Sequence, residues 1–77
     1  MSRPIEALTP AKAEDDPARE LLERVGSRLR AARRAAGLTQ RALSERSGVS
    51  PRYLVHLEAG TGNVSLGVLS RVAAALG

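Results

Sequence analysis

Cysteine is absent from the 77 residues, as are phenylalanine and tryptophan, and Tyr53 is the only aromatic. Without cysteine there is no disulfide framework and no thiolate metal site, a composition that suits a reducing compartment. Without large aromatics the core has to be aliphatic, made of Leu, Val and Ala. That favours small, closely packed helices over a sandwich or barrel. No apolar run approaches the length of a membrane span, and the opening MSRPIEALTP lacks the apolar centre of a secretion signal. The expected location is the cytoplasm, with no membrane partner. The length suits one small domain with a modest core.

Acidic residues are scarce too, but only in one part of the chain. Residues 1–23 hold Arg3, Lys12 and Arg19 against Glu6, Glu14, Asp15, Asp16, Glu20 and Glu23, a net charge of −3. Residues 24–77 hold nine arginines against Glu45 and Glu58, a net charge of +7. A segment that basic, with only arginine as its cation, points to a polyanionic partner, because guanidinium meets phosphate in a bidentate way. A genome rich in G and C accounts for arginine in place of lysine, but not for the lopsided charge. Within residues 1–16, Pro4 and Pro10 interrupt any helical pattern and AKAEDD offers no apolar face, so a disordered N-terminal arm is expected there. Its acidic end argues against a role in reaching into DNA. The domain is then expected over residues 17–77.

From Asp16 the pattern becomes helical. Asp16 can cap, Pro17 suits the first helical position, and Glu20 and Glu23 complement the positive end of the helix dipole. Leu22, Val25, Leu29, Ala32 and Ala36 step by three and four, so they form one apolar stripe, and Gly37 ends the helix. Arg24, Arg28, Arg30 and Arg34 lie mostly off that stripe. One device then recurs three times: Leu38-Thr39 before Leu43, Val49-Ser50 before Leu54, and Val64-Ser65 before Leu69. In each, a hydroxyl cap stands between an apolar residue just outside a helix and another four positions inside it. This is the hydrophobic staple. It sets helix starts at Thr39, Ser50 and Ser65.

Those starts predict helices near 17–36, 40–47, 51–59 and 66–76. The fold class is all-α, a bundle of four to five short helices containing a helix-turn-helix. The second and third helices meet through a tight turn at Gly48, which makes them cross steeply. The third helix, within SGVSPRYLVHLEAG, is too short to be stable alone. It can be short because its neighbours hold it, with Leu54 and Leu57 inward and Pro51, Arg52, Val55 and His56 outward. The last helix carries Val68, Leu69, Val72, Ala73 and Leu76.

The stretch GLTQRALSERSGVSPRYLVHLEAG resembles the DNA-binding domain of the lambda/434 repressor-like, or Xre-type, helix-turn-helix family. The resemblance runs from Val25 to Gly77 and rests on Arg33, GLTQ at Gly37 to Gln40, Leu43, the SGVS turn, LEAG and AAALG. It implies sequence-specific binding of double-stranded DNA by a transcriptional regulator, a repressor in the cytoplasm at the nucleoid. Thr39, Gln40 and Arg41 would meet phosphate, while Pro51, Arg52 and His56 would face base edges from a recognition helix at about 51–59. Ser50 and Tyr53 would touch backbone or sugar. Arg33 and Glu58 would form a buried ion pair tying the first helix to the recognition helix. Thr61 stands at a DNA-facing position where the family often has a basic residue, and Val64 replaces a common proline. Gly67 is unusual in the first turn of the last helix.

A further resemblance, over SGVSPRYLVHLEAGTGNVSLGVLSRVAAALG, is to the N-terminal domain of benzoyl-coenzyme A-responsive repressors of benzoate degradation genes. It implies that an effector domain follows in a longer regulator. A palindromic operator and a homodimer on DNA are the partners implied by the family as a whole.

Taken singly, these residues carry little. A lone histidine such as His56 is a poor metal site without a second ligand, and on an exposed face it is usually polar surface. Within the motif a base or phosphate contact is the better reading. Arg52 by itself would be a solvated charge; at the second position of a recognition helix it suits guanine O6 and N7. Tyr53 is balanced between packing on the second helix and donating to phosphate, and Arg28, Arg30 and Arg34 read as surface charges. No Ser/His/Asp set, glycine-rich phosphate loop or carboxylate pair is present, so neither catalysis nor a cofactor or metal is expected. The alternative is a protein-interaction or antitoxin-type helical module. An RNA reader is disfavoured by the single aromatic.

Overall fold

Thr39, Ser50 and Ser65 each accept a hydrogen bond from the backbone N–H three residues on, at 3.0, 3.1 and 3.0 Å. In the structure, a computed structural model that describes residues 17–77, these three caps start three of the four helices. They are α1 (Pro17–Ala35), α2 (Gln40–Ser47), α3 (Pro51–Ala59) and α4 (Leu66–Leu76). Each cap satisfies one of the backbone donors that a helix start leaves free. The disordered arm expected at residues 1–16 lies outside the described residues. No strand occurs among the described residues, and none of their helices is long and apolar enough to cross a membrane.

The staples close onto one core. Leu43, Val49, Leu54, Leu57 and Val72 are buried, and Leu29, Leu38, Tyr53, Val64, Val68, Ala75 and Leu76 pack against them. The staple residues of α2 and α3 thus anchor those helix starts in the interior, and at α4 Val64 does the same. Leu43, Leu54 and Val72 have no exposed surface at all. Truncating Leu43 or Leu54 to Ala would cost about 2–5 kcal/mol by the usual cavity arithmetic. Between α2 and α3 the chain turns at Gly48, whose φ of 75° is left-handed and cheap only for glycine.

The inward face of α1 differs from the apolar stripe read in the sequence. Leu22, Val25 and Leu29 are half-buried, but Ala32 and Ala36 are exposed, and the buried positions are Gly26 and Arg33. The stripe is therefore rotated in its second half, and the reason is the neighbour. A Cβ at Gly26 would run into the Leu57 carbonyl oxygen and stand 2.7 Å from that of Glu58. A Cβ at Gly60, itself at φ +74°, would stand 2.7 Å from the Glu23 Cα. Backbone meets backbone here, so α3 lies directly on α1. In α4 the same kind of shift leaves Ala73 exposed and turns Ala75 toward the core.

Candidate nucleic-acid interface

Close contact between α1 and α3 brings Arg33 opposite Glu58. The Arg33 Nε donates to Glu58 Oε2 at 2.6 Å and its Nη2 to Oε1 at 3.0 Å, while Nη1 donates to the Leu38 carbonyl at 2.8 Å. Arg33 is 8% exposed and Glu58 9%. The fork of donors on a guanidinium is what fits a carboxylate and a carbonyl together. Gln40 joins them: its Nε2 donates to the same Glu58 Oε1 at 3.1 Å. Burial pushes the Glu58 carboxyl up, but hydrogen bonds from Arg33 and Gln40 and the charges of Arg33 and Arg30 outweigh it. Its pKa ends below the ordinary glutamate value. Donating to Glu58 raises the already high pKa of Arg33.

Around this pair lies an open cleft of about 500 Å³ between the end of α1, the start of α2 and the outer side of α3. Arg30 and Arg34 line it from α1, Thr39 and Gln40 from α2, and Val55 and Ala59 from α3. Arg30 and Arg34 are exposed and make no ion pair among the described residues, so with Glu58 neutralised by Arg33 the cleft is bordered by uncompensated positive charge. The sequence treated these two arginines as scattered surface charges. The packing of α1 on α3, with the short connection from Ala35 to Gln40, brings them around one cleft with Val55.

The outward side of α3 presents Pro51, Arg52, Val55 and His56, all exposed. Arg52 has no hydrogen-bond or ion-pair partner among the described residues, so its guanidinium is available. His56 is held: Thr61 donates its hydroxyl to the His56 carbonyl at 3.3 Å, and its Oγ1 stands 3.2 Å from His56 Nδ1. Nδ1 is engaged with the Thr61 hydroxyl, and Nε2 takes no part in that contact. Thr61, read in the sequence as a DNA-facing residue, thus fixes the histidine ring.

Of the two roles that the sequence left balanced for Tyr53, the ring takes the packing one, lying half-buried against the core that includes Leu43 of α2. Its hydroxyl donates to the Asn63 carbonyl at 2.9 Å and accepts from the Ser65 N–H at 3.4 Å, so it ties the loop before α4 to α3. Ser50 uses its Oγ as the cap of α3. Arg41 is widely exposed and lies 3.7 Å from Glu45, a pair of little energetic weight. Sequence reasoning missed the Gln40–Glu58 bond, the Thr61–His56 contact and the bare backbone at Gly26. For the last there was a signal, since a glycine deep inside a helix costs about 1 kcal/mol against alanine and so wants a packing reason.

A capped helix, a glycine turn and a second helix with a free, partly basic outer face define a helix-turn-helix domain. The chain belongs to the Xre/lambda repressor-like helix-turn-helix family, whose model, described as Helix-turn-helix, matches residues 29–77. That makes it a DNA-binding domain of transcription regulation. The crystal structure of the clp gene regulator ClgR from C. glutamicum is similar, with 43% sequence identity and a TM-score of 0.69. The similarity covers 84% of this chain and 80% of that one. No curated protein matches the chain.

Proposed function

We propose that this chain binds a double-stranded operator sequence-specifically as a repressor, with α3 lying in the major groove as its recognition helix. The observation that carries the reading is the exposed outer face of α3, where Arg52 has no partner among the described residues and His56 is held by Thr61. The N-terminal residues of such a helix lie nearest the base edges. Arg52 then reads a guanine through O6 and N7, and His56, one turn later, contacts a neighbouring base or phosphate. Gln40 and Thr39 at the start of α2 grip a flanking phosphate, with Arg41, Ser50 and Pro51 close to the backbone. The Arg33–Glu58 pair and the Tyr53–Asn63 bond hold these elements in register and touch no base.

One domain of this size covers one half-site weakly, so two copies on a palindrome with half-sites about one helical turn apart are the proposed complex. Similarity to a clp gene regulator makes promoters of that class the first natural duplexes to try. The test is selection of bound duplexes from a random pool, followed by titration of wild type, Arg52→Ala and Gln40→Ala. Arg52→Ala should lose about 1–3 kcal/mol at one base pair and relax preference there. Gln40→Ala should weaken all duplexes about equally, since phosphates carry no code. Absence of salt-dependent duplex binding by wild type would overturn the reading in favour of a protein-interaction module.

A further inference from the structure

We infer that Val55 is a thymine-reading residue, an apolar contact for the C5-methyl group on a T·A pair. The inference rests on α3 being the recognition helix. Val55 is 49% exposed, and among the described residues only Leu21 and Leu66 are large hydrophobics more exposed than it. It sits on the outward side of α3, three positions after Arg52 and next to His56. Nothing in the fold asks for valine there. The core is complete without it, and a β-branched residue in a short helix is a poorer helix former than Ala, Glu or Arg.

Its surroundings say what covers it. Val55 lines the cleft with Arg30, Arg34, Thr39 and Gln40, so whatever covers its methyl groups also lies beside two guanidinium groups that have no ion-pair partner among the described residues. An apolar protein partner would have to bury those charges, whereas a polyanion is drawn to them. DNA satisfies both demands at once. Its phosphates meet the cleft's border, and the thymine methyl is the one apolar feature that the major groove displays. A valine one turn from an arginine that reads guanine therefore adds an apolar letter to the site.

The test uses the 77-residue chain and a duplex that wild type selects from a random pool. That duplex is resynthesised with uracil in place of thymine, one position at a time, which deletes only the methyl. Burying one methyl group is worth about 0.8 kcal/mol, so wild type should lose about fourfold in affinity at one uracil position or two neighbouring ones. Val55→Ala, which keeps the helix, should bind thymine and uracil duplexes equally at that position while retaining salt-dependent binding. Val55→Thr, of the same shape but half as apolar, should fall between them. The proposal is overturned if the selected site has no fixed T·A pair, if wild type is indifferent to uracil everywhere, or if Val55→Ala keeps the wild-type preference. In those outcomes salt-dependent duplex binding persists, so they are distinct from a failure of the DNA reading itself.

Discussion

Replacing Glu58 with alanine removes the carboxylate that Arg33 grips at 2.6 and 3.0 Å, and leaves a guanidinium only 8% exposed with the Leu38 carbonyl as its remaining partner. Breaking a buried pair from one side costs about 3–5 kcal/mol, because the surviving charge stays desolvated. In a domain of this size each kcal/mol moves the melting temperature by about 4–8 °C, so Glu58→Ala should melt at least about 12 °C below wild type. The double variant Arg33→Ala/Glu58→Ala removes both charges and should lose less than the sum of the single losses. Where the alanine variants are too unstable to measure, added sucrose restores a measurable folded population without touching the pair. The pH dependence carries a second check. Glu58 has a lowered pKa in the folded chain, so its contribution is present above the ordinary glutamate range and is lost as pH falls through the folded value. The gap between wild type and Glu58→Ala should therefore narrow on acidification. In Arg33→Ala the largest influences that lower the Glu58 pKa are gone, so its carboxyl moves up from its wild-type position, and the damage should be greatest near neutral pH and shrink as that carboxyl protonates. Additive losses, or gaps that do not change with pH, would refute the coupling.

Two further outcomes follow from the α1–α3 contact and the cleft. Gly26→Ala improves helix propensity by about 1 kcal/mol, but it drives a methyl group into the Leu57 and Glu58 carbonyls, so thermal melts should show a net loss of about 2 kcal/mol. A variant as stable as wild type would mean that the helices do not touch there. Arg30→Ala and Arg34→Ala should each reduce the slope of log affinity against log salt by about 1, whereas Arg28→Ala, outside the cleft, should leave it unchanged. Equal effects at all three positions would mean general charge attraction with no phosphate held at the cleft.

The helix boundaries were legible because their causes are local. A cap and its staple lie within six residues, so Leu38, Thr39 and Leu43 declare the start of α2 without reference to anything distant, and Gly48 and Gly60 declare the stops. The face of α1 was not legible in the same way. Apolar periodicity finds side chains that want burial, yet two of the most buried positions on α1 are a glycine and an arginine. Gly26 is buried because the α3 backbone takes the place of a side chain. Arg33 is buried only because Glu58, 25 residues away, neutralises it. Counting periodicity therefore ran on to Ala32 and Ala36, which face solvent.

The site divides along the same line. Arg52 and Val55 stood out as outward positions because a helix of known start has a fixed wheel. The roles of Gln40, Tyr53 and Thr61 depend on hydrogen bonds to Glu58, Asn63 and His56, and no local rule sets those. One consequence joins the two halves. α3 has only nine residues, too few to hold itself, and its main anchors among the described residues lie on its inner side or at its ends: Leu54, Leu57, Glu58, the Ser50 cap and the Tyr53 hydroxyl. The side chains of Arg52 and Val55 contribute no hydrogen bond, ion pair or buried core surface among the described residues. The residues that would choose a DNA sequence are thus separated from those that keep the helix in place, and the outer face of α3 can change its letters without loosening its hold on α1.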